Sequence, residues 1–249
     1  MIRKRKNFFD LLKESLGIFS YAWARLFIII FIFSFISFFF FIAFLFLGAF
    51  LGWAVSGNLS SRFFLATFPL LLSFIFIGLF FLFAQITIIK AIQSVDQKNP
   101  LGAGVSYWTA IPLLGPYCVV CFLGIMRMIL WGLLFIVPGI VFGIFYSFSC
   151  LALLIDGHKG TKALVHSRKI IQPAFWNFLG YCAGIVLLMF VISTGAEFTV
   201  KLLFGLLMPG WADSVNAIFF FLINAGTLIY STIFFYLLYG ELKSRAGMA

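Results

Sequence analysis

Acidic residues are scarce in this chain: seven Asp and Glu among 249 residues, accompanied by only two histidines. Hydrolysis and group transfer need such groups to converge, and the spacings that mark convergence are missing. There is no HExxH, no GxSxG nucleophile elbow and no Walker loop. Asp156-Gly157 opens like a lipid-headgroup transferase motif, but the Ala-Arg pair and the later aspartates are lacking, so it reads as a turn. Cysteines number four, and Cys118 with Cys121 forms a single CxxC in an apolar helix with no second pair and no nearby histidine. Buried packing is the expected role of these thiols. No catalytic residue, metal or cofactor is expected from this inventory.

Charge of either sign is missing over long intervals. None falls between Arg25 and Arg62, Arg62 and Lys90, Lys98 and Arg127, Arg127 and Asp156, Lys169 and Glu197, or Asp213 and Glu241. A helix needs roughly 20 apolar residues to cross the hydrocarbon core, and each interval supplies most or all of one. With 64% hydrophobic residues and a mean hydropathy of +1.17, the chain reads as an all-α polytopic membrane bundle in one domain. The spans expected are about 26–50, 64–89, 111–135, 138–155, 174–195 and 214–239. Pro138, suited to the first position of a helix because its missing N–H would have no partner there, divides the third from the fourth. The apolar run after Met1–Lys6 starts too late and runs too long for a signal peptide, so the first span is expected to be retained. Phenylalanine, 37 residues with clusters at Phe38–Phe41 and Phe219–Phe221, suits lipid-facing surface as well as leucine does.

The net charge of +10 flanks the spans and forms no continuous patch, so it points to anionic headgroups and not to nucleic acid. Fourteen basic residues fall on one side (Arg3, Lys4, Arg5, Lys6, Lys13, Arg25, Lys90, Lys98, Lys159, Lys162, Arg168, Lys169, Lys243, Arg245) against Arg62 and Lys201 on the other. By the positive-inside rule both termini are expected in the cytoplasm. Two segments on that side, about 7–22 and 158–172, set apolar residues at helical spacing against charged ones, and a shorter stretch, about 100–109, places Leu101, Val105 and Trp108 at helical spacing; all three are expected as helices lying in the membrane interface. Asn99-Pro100 provides a cap and first-position proline for the shorter stretch. Each carries a serine near its middle (Ser15, Ser106, Ser167) and precedes two spans, and Trp23 and Trp176 mark entry into the bilayer. The rhythm suggests three repeats of interfacial helix plus helical hairpin.

Leu133-Leu134-Phe135-Ile136-Val137-Pro138-Gly139-Ile140 is followed by Tyr146-Ser147-Phe148, Leu153-Leu154-Ile155-Asp156-Gly157, Gly160, Ala163-Leu164, Ser167-Arg168 and Phe175-Trp176-Asn177 with Gly180. The chain closes with Tyr236-Leu237-Leu238-Tyr239-Gly240-Glu241-Leu242-Lys243. Over about residues 100–245 this order resembles the membrane domain of the glycerophosphodiester phosphodiesterase family and its stand-alone bacterial inner-membrane relatives. The resemblance implies a fold and a location in the bacterial inner membrane. In the fused relatives the chemistry belongs to a separate soluble barrel that this chain does not contain, so no catalytic residue is carried over.

The polar residues within spans are few. Arg127 sits roughly 24 Å from the cytoplasmic end of its helix and about 12 Å from the outer end. A charge at mid-bilayer costs about 2.5–3.5 kcal/mol on insertion scales, so Arg127 either anchors an anionic lipid phosphate or substrate inside the bundle, or snorkels to the outer headgroups. Gln85, Asn216 and Asn224 are expected to bond between helices. Small-xxx-small pairs (Gly48/Gly52, Gly139/Gly143, Gly180/Gly184) allow helix backbones to approach closely. The outer stretch from Glu197 to Asp213, with Pro209-Gly210, reads as an amphipathic turn tied to the interface by Trp211. On the cytoplasmic side, Asp156, His158 and His166 share a loop, where Lys159, Lys162, His166 and Lys169 are candidate headgroup contacts. A metal site would want further ligands at short spacing. Lys162 and Lys169 beside His166 should lower its pKa. The reading that results is a non-enzymatic membrane protein that interacts with anionic lipids or organises the envelope, alone, as a homo-oligomer or with a membrane-protein partner. The alternative is a transporter or channel subunit for a small, anionic or lipidic substrate, which needs a cavity lined by Arg127, Gln85 and Asn224. An intramembrane enzyme is the least supported.

Overall fold

The computed structural model describes residues 6–54, 59–97, 103–207 and 212–248. Among these residues eight α-helices follow in chain order: α1 (Phe8–Ala54), α2 (Leu59–Asp96), α3 (Ala103–Leu134), α4 (Ile136–Tyr146), α5 (Ser149–Asp156), α6 (Thr161–Ile171), α7 (Phe175–Leu207) and α8 (Ala212–Arg245). A single 3-10 turn, Gln172–Ala174, joins α6 to α7. No strand occurs among the described residues. Six helical stretches are long and apolar enough to cross a membrane, supplied by α1, α2, α3, α4 with α5, α7 and α8. The protein is an all-α, multi-pass membrane bundle. Asn99-Pro100, Pro209-Gly210 and Trp211 lie outside the described residues.

Two of the three expected interfacial helices are not separate elements. Residues 8–22 continue without a break into the first span, making α1 47 residues long, about 70 Å at the α-helical rise. Residues 103–109 likewise open α3, which runs on through Pro112 and Pro116. A change from mixed polarity to pure hydrophobicity alters where a helix lies, but it does not end one. Termination needs backbone groups diverted by Gly, Pro or a capping side chain, and Trp23-Ala24-Arg25 offers none. The first turns of α1 are also held by protein: Leu11 and Ser15 are fully buried, and Phe8 stacks on Tyr181 and meets Phe234 edge-on.

The third expected interfacial segment is a distinct helix, α6, but its apolar stripe faces the bundle. Ala163, Leu164, Ser167, Ile170 and Ile171 are buried, with Leu164 reaching Gly124 of α3. Sequence periodicity reports that a face is apolar without reporting whether lipid or protein covers it.

The fourth span is broken. α4 ends at Tyr146 and α5 starts at Ser149, with Phe148 in the bridge region of backbone space (φ −92°, ψ 5°). Breaking a helix inside an apolar environment leaves peptide groups without partners, and Ser167 supplies both. Its hydroxyl donates to the Phe145 carbonyl at 2.6 Å and accepts the Phe148 N–H at 3.2 Å. Ser167 is completely buried, so water has no access to substitute. Ser167→Ala should therefore destabilise the bundle by about 1–3 kcal/mol, read as a lower midpoint of thermal unfolding in detergent. Unchanged stability would mean that the break is held by packing alone.

Buried side chains concentrate toward one end. Leu11, Ile92, Phe148, Ile170, Phe234 and Tyr239 are among them, and Phe148 meets Tyr239 and Phe178 edge-on at 5.4 and 5.0 Å. Phe38, Phe39, Phe50, Phe220 and Leu133 are exposed, as expected of residues that face lipid. The buried end carries both termini: the Lys6 N–H donates to Glu241 Oε1 at 3.2 Å, and Arg245 Nη2 donates to the Lys6 carbonyl at 2.9 Å. Lys90 reaches the same end of α5, donating to the Leu154 carbonyl at 2.8 Å.

Candidate functional site

The termini-bearing end also gathers most of the described polar chemistry. α5 stops at Asp156 because Gly157 takes up the left-handed conformation (φ 73°), letting the His158 N–H bond back to the Ala152 carbonyl at 3.2 Å. This is a Schellman-type ending, and glycine suits it because a β-carbon would be strained there. Gly160, at φ 57°, makes the second sharp turn and launches α6. The two glycines thus fold His158 back over the first turns of α6, and the rings of His158 and His166 lie 4.3 Å apart.

Asp156 is the hub of this end. Its Oδ1 accepts a hydrogen bond from Lys243 Nζ at 2.7 Å. Its Oδ2 accepts one from the Tyr239 hydroxyl and lies 3.1 Å from His166 Nε2. Tyr239 and Lys243 are one turn apart on α8 and project from the same face. Burial alone would raise the Asp156 pKa, but the hydrogen bonds from Lys243 and Tyr239 outweigh it, with help from the charges of Lys243 and His166, and hold it below the ordinary carboxylate value. The His166 pKa is lowered, by burial first and the neighbouring His158 next, with Asp156 opposing the shift and Lys243 adding to it; the expected cause, Lys162 and Lys169, is not what lowers it.

Beside this hub opens a cavity of about 300 Å³ lined by His158, Thr161, Lys162, Val165, His166 and Lys169. A second, of about 200 Å³, lies on the α8 side of the hub, with Lys6, Asp96, Tyr236, Tyr239 and Lys243 in its wall. There the Tyr236 hydroxyl donates to Asp96 Oδ2 at 3.1 Å. The first cavity offers two ammonium groups, two imidazoles and a hydroxyl but no carboxylate, a wall suited to a phosphate or carboxylate anion.

Of the candidate residues, the structure brings Lys162, His166 and Lys169 to one wall and leaves Lys159 exposed on the turn beside it. Arg127 lies elsewhere. It is half-buried, with its guanidinium 6.0 Å from the centre of the Tyr146 ring, and no carboxylate pairs with it among the described residues. It does not join Gln85 and Asn224, which instead line an apolar cavity of about 310 Å³ with Ser34, Ser37 and Phe33. The thiols also pair in a way the CxxC does not suggest, Cys121 with Cys150 of α5 at 3.3 Å.

Sequence reasoning missed Tyr239 and Lys243. The signal available was their i, i+4 spacing with Tyr236 one turn earlier, a polar stripe on an otherwise apolar closing helix. No family model, curated protein or solved structure matches the chain.

Proposed function

We propose that the protein is a non-enzymatic inner-membrane protein that binds anionic lipid headgroups at its cytoplasmic face, in a lipid-interacting or envelope-organising role. The observation that carries this reading is the cavity walled by Lys162, Lys169, His158 and His166, set at the end where both termini and Lys90, Lys243 and Arg245 meet. The fourteen-to-two distribution of basic residues supports placing that end in the cytoplasm. A headgroup phosphate would enter from the membrane plane, with its acyl chains along the exposed apolar flanks.

The test is native mass spectrometry of the detergent-extracted protein, paired with binding to vesicles of acidic or zwitterionic phospholipid. Each basic residue near such a surface contributes about 1 kcal/mol. Lys162→Gln with Lys169→Gln should therefore weaken retention of acidic phospholipid by roughly 30-fold, with little change for the zwitterionic lipid. A cysteine placed at position 162 should react only with reagent supplied to the cytoplasmic side. Equal retention of acidic phospholipid by the double variant and the wild type, or labelling from outside, would refute the reading.

The cavity at Gln85 and Asn224 supports the second reading, a transporter or channel subunit for a small, anionic or lipidic substrate, because it places two amides inside the spans. Solute uptake into vesicles that Gln85→Leu abolishes would favour it over the first.

A further inference from the structure

We infer that Asp156, His158 and His166 form a binding site for a divalent transition-metal ion of the zinc class. One ligand atom from each of the three lies within 4.8 Å of the others. The Asp156 Oδ2 to His166 Nε2 separation is 3.1 Å, and two ligands bound at the usual distances to a tetrahedral zinc ion stand about 3.3 Å apart. An ion seated against this edge displaces the proton along it to water and binds both atoms with almost no rearrangement.

His158 is the ligand that has to move. It lies between Gly157 and Gly160, both at positive φ, and rotation about its side-chain bonds moves the imidazole while its N–H keeps the bond to the Ala152 carbonyl. A shift of about 1–2 Å closes the set, judged against that same tetrahedral edge. Two imidazoles and one carboxylate are a ligand set that zinc accepts when a fourth position is left for water or an anion. Because both imidazoles line the basic cavity, the fourth position opens toward Lys162 and Lys169.

The carboxylate is also braced as ligating carboxylates usually are. Lys243 holds the Oδ1 oxygen at 2.7 Å and Tyr239 donates to Oδ2, fixing the orientation of the group while leaving lone pairs for the ion. The ammonium groups nearby oppose a cation, so binding should be weaker than at a site without them and should strengthen when Lys162 is neutralised. The metal site shares His158 and His166 with the headgroup reading but needs Asp156 in place of the two lysines, so Lys162→Gln with Lys169→Gln separates the failure of one from the failure of the other.

The experiment is titration of the full chain in detergent with zinc(II), competed against a chromogenic chelator, and with cobalt(II) followed by visible absorption. One equivalent should bind per chain, with a cobalt spectrum free of thiolate charge-transfer bands. His158→Gln and His166→Gln should each weaken binding by at least about tenfold, while Lys162→Gln with Lys169→Gln retains or tightens it. Cys121→Ser controls for the thiol pair and should change nothing. Thermal unfolding of each variant in chelator separates loss of the site from loss of the fold. Zinc binding that survives the double histidine change, or that vanishes with Cys121→Ser, would overturn the assignment, as would no stoichiometric binding by the folded wild type.

Discussion

Gly139→Ala should destabilise the bundle by about 1–3 kcal/mol, while Gly143→Ala, one turn along the same helix, should cost far less. A β-carbon at Gly139 would sit 2.6 Å from Gly132 Cα and 2.9 Å from Gly132 N. Both contacts are backbone on the facing helix, so neither can rotate away, and α3 and α4 would have to separate. At Gly143 the nearest atom is Met128 Sδ at 3.0 Å, the far end of a flexible side chain that can take another rotamer. The hairpin depends on glycine at position 139, set against the α3 backbone, because helices in lipid associate through close packing, without a hydrophobic force between them. Thermal unfolding in a single detergent decides the point, and equal midpoints for the two variants would contradict it. Gly132→Ala should cost far less than Gly139→Ala, because a β-carbon at Gly132 meets no atom within 4 Å.

Asp156→Ala should have an effect of similar size, about 2–3 kcal/mol. The carboxylate side chain is 11% exposed and the Lys243 side chain 25%, so removing Asp156 leaves a partly buried ammonium and the Tyr239 hydroxyl without their acceptor. The figure lies below that for a fully buried pair because water reaches Lys243. Asp156→Asn keeps the shape and one acceptor and should lose less. The pH dependence has a definite sign. A carboxylate held below its ordinary value in the folded state contributes stability that is fully present above its unfolded pKa, near 3.9. That contribution is lost as pH falls through the lower, folded value. With chelator present, the wild type should show it undiminished from pH 7 to about 5 and lose it below about 4, whereas Asp156→Asn should lack that acid-sensitive component. An identical acid profile for the two proteins would remove Asp156 as the hub.

The part of the fold legible in the sequence is the part governed by solvent. Charge-free intervals, a basic flank and scattered exposed phenylalanines follow from transfer of side chains between water and lipid, which each residue registers independently of its neighbours. Hence the six spans, the lipid-facing phenylalanines and the gathering of Lys6, Lys90, Lys243 and Arg245 at one end were all readable. The Gly139/Gly143 spacing marked the helix face of close approach, but its partners, Gly132 and Met128 of α3, were set by the packing.

The candidate site was legible only in half. Lys162, His166 and Lys169 announce themselves on one short helix, where i, i+3 and i+4 spacing fixes who shares a face. Their relation to Asp156, Tyr239 and Lys243 depends on α8 returning, more than 80 residues later, to lie against the end of α5, and one chain's periodicity carries no record of that. Ser167 shows the same limit. Its place mid-way along α6 was visible, but its role depends on a helix break at Phe148 that lacks a proline or glycine to mark it. Arg127 is the converse case, conspicuous in sequence and placed by the fold beside Tyr146, away from Gln85 and Asn224.

By itself, then, the sequence determined that this is a six-span helical membrane protein with one strongly basic end, because hydrophobicity and charge act locally along the chain. Which polar groups meet was decided by the tertiary structure alone. The decisive contacts, Ser167 at the broken fourth span, Asp156 between α6 and α8, and His158 folded onto His166 by two left-handed glycines, join residues whose partners are set by how the helices pack.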